Sequence, residues 1–283
     1  MSDPAPDPRY KLIERLAEGP SGEVWRVKEL SLGIDRAMKI LLHKHRPDST
    51  VGRMLLREGQ LLTQLQHPGI SLPAESGRMQ DGRPYLVTQL VKGKTVAMAL
   101  ADRGPGVDHW LADFERVCRA VGHAHEQGVV HCDLEPTNVM VGASGEVVVI
   151  DWGMAKLLPG AKVTSDDADA GYVTLTDGTP EYMSPELARG TWWAMDRRSD
   201  VFSLGALLCL LLTGLPPYTG KSLADVRMQS VHAELDSAFD RLGGCGANRV
   251  LIELCKKCLS ADPADRPADA GEVASAVAEV QAG

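Results

Sequence analysis

The hydrophobic rhythm of the chain changes near residue 93. Before it, short runs such as EVWRV and RAMKIL flank Gly-containing turns, a pattern that predicts β-strands. One helix interrupts them: in VGRMLLREGQLLTQLQH, residues 50–66, Leu55, Leu62 and Leu65 share a face, and His67-Pro68 ends the run. PYLVTQLV predicts a further strand, and Gly93 a hinge after it. Beyond the hinge helical periodicity dominates, over residues 108–127, 200–213 and 248–259. The second of these is apolar all round, which predicts a buried helix. Between them VVH, NVMVG and EVVVID read as short strands, with GASGE turning between the last two, and residues 159–180, rich in Asp, Gly and Thr, read as loop. No internal repeat is visible. The pattern predicts an α+β fold of two lobes, a small β-rich one over residues 9–92 and a larger, mainly helical one over 93–279. A polar, Pro-rich tail, residues 1–8, precedes them and reads as disordered.

Composition narrows the function classes. With 283 residues, 44% hydrophobic and 24% charged, the chain has ordinary globular values and enough length to bury a core without staples. A net charge of −8 argues against nucleic acid or an anionic membrane as the main partner. The six Cys are scattered, as expected for reduced thiols in the cytoplasm. MSDPAPDP reads as neither signal peptide nor anchor, and the longest apolar run, Leu204 to Leu212, is too short to span a bilayer.

The candidate chemistry is spread along the chain. AEGPSGEV, residues 17–24, places Gly19 and Gly22 between two strand candidates, where Gly permits unusual φ and close backbone approach to a phosphate. Lys39 stands among apolar neighbours in RAMKIL. Glu58 shares the apolar face of the 50–66 helix, so it either pairs with a cation such as Lys39 or sits solvated at the edge of the stripe. In HCDLEPTN Asp133 and Asn138 bracket a loop, and Asp151 ends the strand-like VVVID before a Trp-Gly turn. Asn and Asp oxygens suit Mg²⁺, which completes its shell with water and phosphates, and Asp133 is placed to accept a hydroxyl proton. Two other groups are set aside. His123 and His125 lie about 200° apart on a helix and cannot share a metal, and Cys255 and Cys258 fall on the apolar stripe of their helix. Trp192-Trp193 is open between packing and partner binding.

Taken together, AEGPSGEV, AMKI, REGQLL, HCDLEPTN, DWG and SPE resemble, in order and spacing, the Gly-rich loop, strand Lys, helix Glu, catalytic loop, D-F-G and A-P-E of a eukaryotic-type (Hanks-type) bacterial Ser/Thr protein kinase. The match runs from about residue 10 to 275. By that resemblance ATP lies under Ala17, Gly19, Gly22 and Val24. Lys39 holds its phosphates and pairs with Glu58. Thr88 is the gatekeeper, and Gln89 to Val91 form the hinge that meets adenine. Asn138 and Asp151 hold Mg²⁺, or Mn²⁺. Asp133 orients the hydroxyl of a protein substrate, Thr179 supports Asp133 and lines the acceptor pocket, and Glu186 and Arg266 form a structural ion pair.

Four positions depart from the pattern. Ala17 replaces the first Gly of the loop. Cys132 replaces the Arg that receives activation-loop phosphate, so phosphorylation of Thr164, Ser165, Thr174 or Thr176 is not expected to gate the site. Trp152 replaces Phe. Glu135 stands where such kinases usually carry Lys near the γ-phosphate. A unit pair at ~4 Å in an effective dielectric near 20 is worth roughly 4 kcal/mol, so an inward Glu135 could slow transfer up to ~10³-fold. Metal neutralisation of the phosphates, or rotation of the side chain to solvent, softens that penalty. The expected function is transfer of the γ-phosphate of Mg-ATP to a protein Ser/Thr hydroxyl. The alternative, motivated by Ala17, Cys132 and Glu135, is a pseudokinase that binds nucleotide or scaffolds a partner with little or no transfer. A non-protein acceptor is a third reading, against which GTPEYMSPE counts. Oligomeric state and substrate identity stay open.

Overall fold

The computed structural model describes residues 7–165 and 178–282, so Thr174 and Thr176 lie outside the described residues. The N-terminal part is an antiparallel sheet of five strands in the order β1-β2-β3-β5-β4. These are β1 (Tyr10–Glu18), β2 (Gly22–Glu29), β3 (Ile34–Leu41), β4 (Pro73–Arg78) and β5 (Pro84–Gln89), with helix α1 (Thr50–Gln64) between β3 and β4. Alternation sends Met38, Ile40, Tyr85 and Val87 to one face, where they bury with Tyr10, Val27 and Met79. The other face carries Leu86, which packs with Leu55, Leu61 and Leu62 of α1. Lys39 lies opposite Leu86 in the ladder and therefore shares that face. β4 escapes the sequence reading because PAESGR has no apolar run, and only pairing with β5 makes it a strand.

The helix expected over residues 50–66 starts with its Ser49 side chain accepting from Gly52 N–H and stops at Gln64. It stops short because a residue before proline, here His67, is driven out of the helical region. At Gly93 the structure shows a steric reason for glycine. Gly93 opens β6 (Gly93–Thr95), paired with Gly142, and a Cβ there would lie 2.1 Å from the Val141 carbonyl oxygen, so the requirement is close approach. At the other end, Asp7, inside the stretch expected to be tail, accepts from Arg9 N–H at 3.0 Å and from the Tyr85 hydroxyl at 3.1 Å.

The C-terminal part continues with α2 (Val96–Arg103), α3 (Val107–Glu126), β7 (Val129–Val130), β8 (Val139–Gly142), β9 (Val147–Val149), β10 (Lys156–Leu157) and α4 (Pro185–Ala188). Then follow α5 (Arg197–Thr213), α6 (Leu223–His232), α7 (Asp236–Gly244), α8 (Arg249–Cys258) and α9 (Ala270–Ala282). β6, β8 and β9 form one small sheet, and β7 and β10 another. α5 is the axis of this part: Asp196 caps it, every residue from Ser199 to Leu212 is buried, and α3, α8 and α9 surround it. Cys255 and Cys258 are buried in that core as free thiols. His123 stacks on His67 at 5.1 Å, whereas His125 turns inward to Asp200, so the two do not converge. Among the described residues no helix is long and apolar enough to cross a membrane.

Candidate active site

The site forms where the sheet face bearing Lys39 meets the loops around β7, β8 and β9. Ala17, Val24, Lys39 and Leu86 pair in succession across β1, β2, β3 and β5, so they form one row on one face. Thr88 pairs with Ala37, two residues from Lys39, and lies on the same face, with Gln89 and Val91 half-buried beyond it. Gly19 N–H donates to Gly22 O at 2.9 Å and closes the β1–β2 turn. Neither glycine has a positive φ, so the conformational freedom expected of them is not what the turn uses. Gly22 is needed for space, since a Cβ there would stand 2.9 Å from the Ile40 carbonyl oxygen.

Lys39 Nζ lies 3.2 Å from Glu58 Oε2 and 2.6 Å from Asp151 Oδ1. Glu58 is buried, and its other oxygen accepts the Trp152 N–H at 3.1 Å. Trp152 is itself fully buried, its indole N–H on Val149 O at 3.3 Å and its ring edge-on to His131 at 4.6 Å. Asp151 holds φ +59°, a strained value for a non-glycine residue, fixed here by Lys39 on one side and Trp152 on the other. Burial would strip the proton from Lys39, but the two carboxylates outweigh it and raise its pKa. Burial pushes Glu58 up against the pull of Lys39. It would push Asp151 up too, but the charge and hydrogen bond of Lys39 hold that carboxyl below its ordinary value.

The loop after β7 is held from below by Asp200, which is buried in the first turn of α5. Its Oδ2 accepts the His131 N–H at 2.7 Å and its Oδ1 the Cys132 N–H at 2.9 Å. His125 Nδ1 accepts from Ala270 N–H at 3.2 Å, so its proton sits on Nε2 and is donated to Asp200 Oδ2 at 2.9 Å. This clamp keeps Cys132 at φ +66° and turns the chain so that Asp133 enters the cleft. Asn138 Nδ2 donates to the Asp133 carbonyl oxygen at 2.8 Å and to its Oδ2 at 3.2 Å. Burial, then the charges of Glu135 and Asp151, push the Asp133 carboxyl up to about 7.

Because the Asn138 amide nitrogen faces Asp133, its oxygen is the atom left for a cation, beside the half-exposed Asp151. Among the described residues no group of three or more His, Cys, Asp or Glu could hold a metal. Two hard oxygens fit a cation that takes the rest of its shell from phosphates and water, as Mg²⁺ does.

Thr179 lines a pocket with Asp133, Glu135, Tyr182 and Met183, but no hydrogen bond joins it to Asp133. Glu186 and Arg266 meet at 2.7 and 3.0 Å, fully enclosed, with Ser199 also donating to Glu186. Cys132 packs in an apolar cluster with Met183, Leu187, Trp192 and Met195. Beside it buried Lys156 donates to Trp192 O at 2.6 Å and Met195 O at 2.8 Å. Trp192 is therefore a packing residue, while Trp193 is 80% exposed. The sequence reading missed the anchoring role of Asp200. The available signal was a carboxylate at the start of an otherwise apolar helix, which must find donors. No sequence signal marked Lys156.

A cleft between a five-stranded sheet and a helical body, with a lysine shared by two carboxylates and an Asp–Asn loop, is the arrangement of a protein kinase fold. The chain matches the protein kinase domain family over residues 10–278 and belongs to it. It is 31% identical to serine/threonine-protein kinase pkn3 of Myxococcus xanthus over 93% of this chain and 48% of that protein. It is 33% identical to serine/threonine-protein kinase PknB of Mycobacterium tuberculosis over 97% of this chain and 43% of that one. A third relative, the DNA damage-responsive serine/threonine-protein kinase RqkA of Deinococcus radiodurans, is 35% identical over 82% of this chain and 34% of its own length. The chain thus spans less than half the length of the curated relatives it matches.

Proposed function

We propose that the chain is an ATP-dependent Ser/Thr protein kinase acting in the cytoplasm, with Mg²⁺, or Mn²⁺, as its cation. The observation that carries this reading is the closed Lys39–Glu58–Asp151 arrangement, with Trp152 N–H bound to Glu58. Lys39 is thereby oriented to meet the phosphates of ATP in the cleft under Ala17, Gly19, Gly22 and Val24, with Thr88, Gln89 and Val91 beside the base. Asn138 and Asp151 would hold the cation, which when bound neutralises charge on the phosphates. Asp133, positioned by Asn138, orients the acceptor hydroxyl and takes its proton as the oxygen attacks the γ-phosphorus and the bond to ADP breaks. Thr179 contributes a wall of the acceptor pocket.

Lys39 bonds to both Glu58 and Asp151, Asn138 bonds to Asp133, and the relatives are named as Ser/Thr kinases, which supports this reading over a nucleotide-binding scaffold. The test is incubation with γ-labelled ATP and Mg²⁺, beside an Asp133→Asn version. Label incorporation abolished by that substitution is expected. Tight ATP binding without transfer in the parent sinks the proposal, and transfer that survives Asp133→Asn sinks the assignment of the base.

A further inference from the structure

Glu135 is the group in this cleft that the mechanism does not use. It follows Asp133 by two positions, is half-buried, and lines the same pocket as Asp133, Thr179 and Tyr182. It is held in place: the Thr137 hydroxyl donates to Glu135 Oε1, and its carbonyl oxygen accepts Asn138 N–H at 3.0 Å. Among the described residues no Lys, Arg or His forms an ion pair with Glu135, and the imidazole of His131 is the basic group that feels its charge. Its charge reaches Asp133 and Tyr182, raising the pKa of each after burial does. Glu181, next to Tyr182, adds a buried carboxylate oxygen without a hydrogen-bond partner. The pocket proposed to receive an acceptor is lined by two carboxyl groups, Asp133 and Glu135, and by no Lys, Arg or His.

Two cations of the site region are engaged elsewhere. Lys39 lies between Glu58 and Asp151, and Lys156 is buried against the carbonyls of Trp192 and Met195. A partly desolvated carboxylate facing a phosphate donor is unfavourable until a cation joins it. The acceptor segment is the component that can bring one.

We propose that Glu135 is a specificity-determining residue that selects acceptor segments carrying a Lys or Arg close to the phosphorylated Ser or Thr, the basic side chain pairing with Glu135. Asp133 and Glu135 are two residues apart, so their Cα atoms stand no more than about 7 Å apart, and both residues line one pocket. An extended acceptor advances by a similar distance over about two residues, so the cation belongs within about two positions of the acceptor hydroxyl. The assignment rests on the kinase reading for its biological meaning, but the pairing itself is a binding property.

The experiment uses short peptides with one central Ser in a neutral background, each carrying a single Lys or a single Glu at one flanking position. They are offered to the parent, Glu135→Gln and Glu135→Lys proteins. Transfer is measured with Mg-ATP, and binding by fluorescence anisotropy with Mg²⁺ and a non-hydrolysable ATP analogue. In the parent, one Lys position near the Ser raises kcat/KM about tenfold over the neutral peptide and tightens binding similarly. Glu135→Gln reduces the preference to about twofold or less, and Glu135→Lys transfers it to the Glu peptide. Melting curves of both variants check that the fold is kept. A parent that treats all peptides alike in both assays overturns the proposal, as does a Lys preference that survives Glu135→Gln. If no peptide is phosphorylated but the charge-dependent binding persists, the kinase reading fails and the role of Glu135 stands.

Discussion

Replacing Asp200 by Asn removes one charge and leaves the shape nearly unchanged, and its effect can be worked out atom by atom. Oδ2 accepts two donors, His131 N–H and His125 Nε2–H, while Oδ1 accepts only Cys132 N–H. The variant amide keeps its oxygen on the two-donor side and turns its NH₂ toward Cys132, so two donors face each other. One charge-assisted hydrogen bond is lost and a buried N–H is left unsatisfied, together about 3–6 kcal/mol. Cys132 sits at φ +66°, which costs roughly 1–2 kcal/mol for a residue with a Cβ and holds only while the clamp holds. Its release swings Asp133, the next residue, out of line. We expect the melting temperature to fall by about 6–12 °C and phosphoryl transfer by at least about 10²-fold. Nucleotide affinity should be nearly unchanged, because Lys39 and the sheet are untouched. Calorimetry, label transfer and nucleotide titration measure these three. Transfer at the parent rate, or an unshifted melting curve, would refute the reasoning.

Glu186→Gln tests the enclosed pair with Arg266. Burial raises the Glu186 carboxyl, but Arg266 and Ser199 outweigh it and hold the carboxyl below its ordinary value. Its stabilisation is therefore complete above the unfolded carboxylate value and is lost as pH falls through the folded one. Urea midpoints should show a deficit of about 3–5 kcal/mol for the variant at pH 7, shrinking in acid; a deficit constant with pH contradicts this. Gly22→Ala drives a Cβ against Ile40 O, whereas at Gly19 the nearest atom is 3.9 Å away. The first change should weaken nucleotide binding about fivefold or more and the second hardly at all, and equal effects in a titration count against the space argument. Lys39→Met leaves Glu58 and Asp151 facing each other without their shared cation. Transfer should fall roughly 10³-fold, with a lower melting temperature, and retention of more than about a tenth of the parent rate speaks against Lys39 as the phosphate ligand.

Much of the architecture is legible in the residue pattern because burial leaves a periodic trace. Strand alternation in RAMKIL places Lys39 on the opposite face from Met38 and Ile40, and the helical spacing of Leu55, Glu58 and Leu62 turns Glu58 inward. The apolar run from Leu204 to Leu212 predicts a helix buried on every side, as α5 is. Where the trace is absent the reading fails. PAESGR becomes a strand only beside β5, and the steric reason for Gly93 shows only once Val141 comes against it.

The sequence by itself determined the type and order of the elements that carry a periodic apolar pattern, and which polar residues stand at their ends and in the loops between them, because those follow from local propensity and periodicity. Only the tertiary structure decided which of these groups meet. Lys39 and Asp151 touch across 112 positions, Asp200 holds Cys132 in a left-handed turn, and Glu135 stands half-buried beside Asp133 without a cation of its own. Such contacts depend on how separate elements pack, and the charge of each group on what that packing removes from water, and neither quantity is encoded in spacing along the chain.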